Sequence, residues 1–110
     1  MFTYLASPYT PMAGESIQER VDAACRYAAR LMDAGHAVFS PIAHSHYVAD
    51  HLDDEKRLDH EFWMRQDLAI LQAAERLVVL RLPGWERSRG IAREIQEATR
   101  LSIPVEYMDP

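Results

Sequence analysis

Cysteine is almost absent from this chain. Of 110 residues only Cys25 is one, which excludes an internal disulfide framework. Cys25 falls on the apolar face of a helical pattern, where a small core residue is expected rather than a reactive thiol. Basic residues are in deficit too: 12 Lys and Arg stand against 17 Asp and Glu, a formal net charge of -5, and no basic run occurs. That balance excludes a nucleic-acid backbone or a membrane surface as an expected partner. No apolar run approaches the length of a membrane span, and the first residues lack a basic-then-apolar leader pattern, so a cytoplasmic protein is expected. The dinucleotide fingerprint G-x-G-x-x-G, the P-loop G-x-x-x-x-G-K-[ST] and the acyl-transfer elbow G-x-S-x-G are all missing. Repeats, low-complexity tracts and linkers are missing as well. What remains is 48% hydrophobic, enough for one compact domain over residues 1–110 and not for two. A domain this small buries little surface, and an oligomer would help its stability.

The residues that are present alternate between two kinds of pattern. Met1–Ala6, His36–Phe39, Arg76–Leu80 and Ile103–Tyr107 read as short apolar strands; the paired valines of the third favour strand over helix, and Pro104 places the fourth at a sheet edge. Ser16 with Glu19 forms a capping box for a helix whose apolar positions run from Ile17 to Met32, and Gly35 stops it. Asp59 opens a second helix to about Ala74, with Trp63, Ile70, Leu71 and Ala74 on one face. Ser88 opens a third to about Leu101, with Ile91, Ile95 and Ala98 as its stripe. The segment Ile42–Lys56 is ambiguous, one short helix plus loop. This order implies an α/β fold: a doubly wound parallel sheet of about four strands, helices on both faces and right-handed crossovers. Ligands in such sheets bind beyond the carboxyl ends of the strands, which gathers the loops Ser7–Pro11, Ser40–His46 and Leu82–Ser88.

The most informative stretch is Val79–Glu94, where an apolar strand breaks at Pro83-Gly84, Ser88 caps a helix, and Glu94 follows six residues later. The helix start gathers unpaired N–H groups and a positive dipole end at the sheet mouth. Glu94 therefore has two readings, a solvated helix carboxylate or a nucleophile and sugar anchor. Glu97 lacks that context and serves as its control. Asp67 shares the face of an otherwise apolar helix, which calls for a partner: a neighbouring arginine, or a role facing the pocket as general acid or as the group that orients Glu94. Tyr4, near the end of the first strand, is core or a phenol that bonds a carboxylate or a sugar. Ser7 and Tyr9 either satisfy the turn backbone or face the same rim, with Ser40. His44, His46 and His51 match no strong zinc spacing, so no metal and no cofactor are expected; a histidine lining a nucleobase or ribose pocket is the functional alternative to a solvated one.

Tyr4-Leu5-Ala6-Ser7-Pro8-Tyr9, Trp63-x-x-x-Asp67 and Ser88-x-Gly90-x-x-x-Glu94 occur in that order, and over nearly its whole length the chain resembles the nucleoside 2-deoxyribosyltransferases and nucleotide N-glycosidases, above all their small uncharacterised relatives. The resemblance implies a doubly wound α/β sheet and cleavage or transfer at the N-glycosidic bond of a (deoxy)nucleoside or its monophosphate. It implies Glu94 as nucleophile, Asp67 assisting base or sugar, Tyr4 positioning the nucleophile, and Ser88, with Gly90, at a helix start suited to a phosphate or a sugar hydroxyl. It further implies a homo-oligomer, since members complete their sites with a neighbouring subunit. Two departures stand out. Ala74-Glu75 replaces an Ala-Asp pair, and bulky Trp85 in the third-strand loop either stacks on a base or closes the pocket. The competing readings are a non-catalytic nucleotide-binding or interaction module, and a nucleotide phosphoribohydrolase, whose Pro-Gly-Gly-x-Gly-Thr-x-x-Glu pattern is met only by Pro83-Gly84 and a later Glu.

Overall fold

Strand β1 (Thr3–Ala6) alternates its side chains to opposite sides, as any strand must, and both sides are buried. In the computed structural model, which describes residues 1–110, Tyr4 and Ala6 enter one core with Leu77, Val79, Leu71, Ile91 and Ala98; Leu5 enters another with Val78, Leu80, Ala23, Tyr27 and Ala28. Burial on both sides is why β1 and β3 (Arg76–Leu80) read as near-continuous apolar runs. Helix α1 (Ile17–Asp33) covers the second face. Helices α4 (His60–Leu71) and α5 (Arg89–Arg100) cover the first. Strands β2 (Val38–Phe39) and β4 (Val105–Met108) complete a parallel four-stranded sheet of order β2-β1-β3-β4. Strand β4 lies at the edge, as Pro104 indicates. The chain winds outward from β1 to β2, returns across β1 to β3, and continues outward to β4. The order therefore reverses between β1 and β3, and a crevice opens beyond their carboxyl ends.

The local signals hold where they rest on caps. Ser16 and Glu19 form the capping box of α1, and Gly35 follows its end at φ 101°, in the left-handed region. Asp59 caps α4, and Ser88 caps α5. Other expectations need correction. Cys25 is exposed: α1 turns its neighbours Ala24 and Ala28 inward, and Cys25 falls outside that stripe. Strand β2 begins at Val38, not His36, because only Val38 and Phe39 pair with β1. Helix α4 ends at Leu71, not Ala74; the Ala73 and Ala74 amides bond Ile70 and Leu71 carbonyls in a closing turn. The ambiguous segment resolves into α2 (Pro41–Val48), a 3₁₀ turn over Ala49–His51 and the single-turn α3 (Asp54–Arg57). No helix is long and apolar enough to cross a membrane.

Candidate active site

A cleft of about 560 Å³ lies at the crevice between β1 and β3. The β1–α1 loop, α2, α4 and the start of α5 form its walls, and Ser7, Tyr9, Asp67, Ser88, Gly90 and Glu94 line it. Glu94 reaches it because it stands in the inward stripe of α5, three residues after buried Ile91 and four before buried Ala98. It is 4% exposed, and the Tyr4 hydroxyl behind it donates a hydrogen bond to its Oε2. That bond crosses 90 residues of chain and joins the middle of β1 to the second turn of α5. Asp67 enters from α4, on the face that also presents His60, Trp63 and Met64 to the cleft.

Neither carboxyl has a cationic partner, so the ion-pair account of Asp67 is set aside: no Lys, Arg or His makes a salt bridge to Asp67 or to Glu94. Burial without a cation disfavours the charged form. It pushes the Glu94 carboxyl up to about 8, against the Tyr4 hydrogen bond, which favours the carboxylate; the charge of Asp67 adds a smaller upward push. Burial likewise pushes Asp67 up to about 6. Tyr4 holds its proton far above the usual phenol range, through burial first and then through the two carboxylates. Near neutral pH the pair thus carries one proton between two groups. Two carboxyls with separated affinities, one held by a phenol that stays protonated, form an arrangement suited to nucleophilic attack coupled to proton transfer.

The remaining expected residues divide. The Ser7 hydroxyl is buried with no hydrogen-bond partner. Tyr9 shares a 3.0 Å hydrogen bond with His46 Nδ1, linking the β1–α1 loop to α2 across the cleft. Ser88 accepts from the Ile91 amide at 3.2 Å, and so caps α5 while lining the cleft. Three residues do not line it. Ser40 is spent on the N-terminus of α2, where its hydroxyl accepts from the Ala43 amide. His44 is exposed, its ring 5.3 Å from that of Phe39, beside a separate groove of about 230 Å³. Trp85 neither stacks in the cleft nor closes it: the 3₁₀ turn over Trp85–Arg87 directs its indole to Tyr107 of β4, with ring centres 5.7 Å apart. Of the three histidines only His46 reaches the cleft, and no group of three or more His, Cys, Asp or Glu stands together to hold a metal. Glu75 is exposed at the start of β3. Residues not expected from the sequence also line the cleft: His60, whose Nε2 is buried without a partner, and Arg57, Arg87 and Arg89 at the rim. For His60 the i, i+7 spacing to Asp67 was a usable signal; the arginines carried none.

The family profile described as a domain of unknown function, DUF1937, matches residues 1–109. The chain belongs to this family. A comparison with curated proteins gave no match. Among solved structures, this DUF1937 chain is similar to a 2-deoxyribosyltransferase from the psychrotolerant bacterium Bacillus psychrosaccharolyticus, described as a biocatalyst for the synthesis of antiviral and antitumoral nucleosides. The TM-score is 0.70 at 24% sequence identity, over 100% of this chain and 73% of the other. At that identity the likeness establishes the fold, a Rossmann-like α/β architecture.

Proposed function

We propose that this DUF1937 protein cleaves or transfers at the N-glycosidic bond of a (deoxy)nucleoside or its monophosphate, with Glu94 as nucleophile. The observation that carries this reading is the buried Glu94 carboxyl, hydrogen-bonded by Tyr4 and lining one cleft with Asp67. A glycosidic bond breaks through a transition state with positive charge at the anomeric carbon, and a carboxylate beside that carbon stabilises it. The Glu94 carboxylate forms a bond to the anomeric carbon as the bond to the base nitrogen breaks. The bonding pair leaves with the base and is neutralised by the one proton the two carboxyls share, which passes from Glu94 to Asp67 as the attacking carboxylate forms and from Asp67 to the base. Water or a second base then attacks the glycosyl ester, returns a proton to Asp67 and frees Glu94. Tyr4 keeps one carboxylate oxygen engaged, which leaves the other for the sugar. The shared fold with a 2-deoxyribosyltransferase supports the substrate class. Ser88 and Gly90, at the start of α5, suit a sugar hydroxyl or phosphate.

The reading needs no cofactor, and it takes the protein as cytoplasmic and as a homo-oligomer, the assembly being testable by sedimentation. The deciding experiment offers a panel of nucleosides and monophosphates and measures release of free base. A 2′-fluoro-2′-deoxynucleoside from the panel should leave a glycosyl adduct on the peptide that contains Glu94, and none in Glu94→Gln. Saturable nucleoside binding with neither base release nor adduct would instead favour a non-catalytic binding module.

A further inference from the structure

Arg20 is the most deeply buried charged side chain of the protein, 1% exposed, and the glycosidic reading gives it nothing to do. It stands in the first turns of α1, where a cation opposes the helix dipole. Its Nε and Nη1 are buried without partners, and its single carboxylate partner, Glu15, is part-exposed. Burial on these terms is a poor source of stability, and an apolar side chain of similar volume would serve the core at least as well.

What the guanidinium does make is a bridge. Nη2 donates to Glu15 Oε1 at 2.7 Å and to the Pro83 carbonyl at 2.6 Å. Glu15 Oε1 also accepts from the Met12 amide at 2.8 Å, and the Glu15 amide donates to the Met12 carbonyl at 2.9 Å. Met12 in turn covers Gly84, with its Sδ 2.8 Å from where a Cβ on Gly84 would stand. Gly84 has φ 89°, so no other residue fits that crossing without strain. One side chain thus ties the β1–α1 loop to the β3–α5 loop. The first carries Ser7, Tyr9 and Met12 into the cleft, and the second carries Gly84 and Ser88. We infer that Arg20 is a positioning residue, a clasp that holds these two loops at the spacing the sugar end of a nucleoside requires. The inference rests on the glycosidic reading for its ligand, not for its geometry.

The test compares Arg20→Met, which keeps an unbranched stem and removes the guanidinium, with Arg20→Lys, which keeps the charge but lacks the fork. Tyr4, Asp67 and Glu94 are held by β1, α4 and α5 rather than by the loops. In Arg20→Met, KM should therefore rise about tenfold while kcat stays within about twofold. Amide hydrogen exchange in residues 8–15 and 82–88 should quicken about tenfold, and unfolding should stay cooperative near the wild-type temperature. Arg20→Lys should recover part of the KM. Should Arg20→Met fail to fold, Glu15→Ala removes one arm of the clasp from a part-exposed site and should show the same pattern, weaker. A lower unfolding temperature with KM and loop exchange unchanged would overturn the clasp and leave a merely structural arginine. If wild-type protein releases no base from any compound in the panel, the glycosidic reading fails, and loop exchange alone then judges the clasp: unchanged exchange in both variants overturns it, quickened exchange upholds it.

Discussion

Glu94 and Glu97 sit three residues apart on α5 in opposite environments. Glu94 is buried on Tyr4, whereas Glu97 pairs with Arg100 at 2.7 Å. Glu94→Gln should abolish base release, and Glu97→Ala should leave it at the wild-type rate, both read in the same assay. The pH behaviour follows from the buried pair. Glu94 binds its proton up to about 8 in the folded protein, against an ordinary value of 4.5, so the folded state holds a proton that the unfolded chain has lost. Its contribution to stability is therefore full below 4.5 and is lost as pH rises to about 8. Asp67 acts in the same direction between 3.8 and about 6. Thermal unfolding should fall in temperature as pH climbs through both windows, and Glu94→Gln should flatten the upper one. Activity should run the other way on its acid side, since with both carboxyls protonated no carboxylate is left to attack. Tyr4→Phe removes the hydrogen bond that favours the carboxylate, so its pH–rate profile should move to higher pH; an unmoved profile would remove Tyr4 from the positioning of Glu94. The sequence pointed to Glu94 through its distance from Ser88. It did not show the burial, because that requires β1 to pass beneath α5.

Caps are the devices the sequence displays most plainly at the level of elements, and two of them test what a cap does beside a cleft. Ser40 and Ser88 both accept an amide three residues on, each at 3.2 Å. Replacing either with Ala should cost about 1 kcal/mol of stability, measured by denaturant unfolding. Only Ser88 lines the cleft, so Ser88→Ala should also raise KM, while Ser40→Ala should leave KM unchanged. Equal KM changes in both would mean that the caps act on the cleft only through helix stability. The segment with α2 and α3 was the least legible part of the chain. Its side chains alternate irregularly between core, cleft and solvent, so no single period survives. Successive helical residues turn by about 100°, which separates His44 from His46 by about 200° although they are two apart in sequence. That rotation sends one to solvent and the other to Tyr9.

For the molecule as a whole, dialysis against a strong chelator should leave base release intact, since the histidines and carboxylates are dispersed rather than gathered about a point. Activity that vanished on dialysis and returned with zinc would replace the carboxylate mechanism. The sequence by itself determined the α/β class, the order of the four strands and the three long helices, and the cleft's place at the strand ends. Those follow from alternation, apolar period and caps, all of which act within a few residues. Only the tertiary structure decided which side chains enter the cleft. The Tyr4–Glu94 bond, the Arg20 bridge to Pro83 and the packing of Trp85 on Tyr107 each join segments far apart in sequence. Trp85 illustrates the reason: its indole is taken up by the partner that offers it burial, and that partner is brought alongside by the edge strand, 22 residues later in the chain.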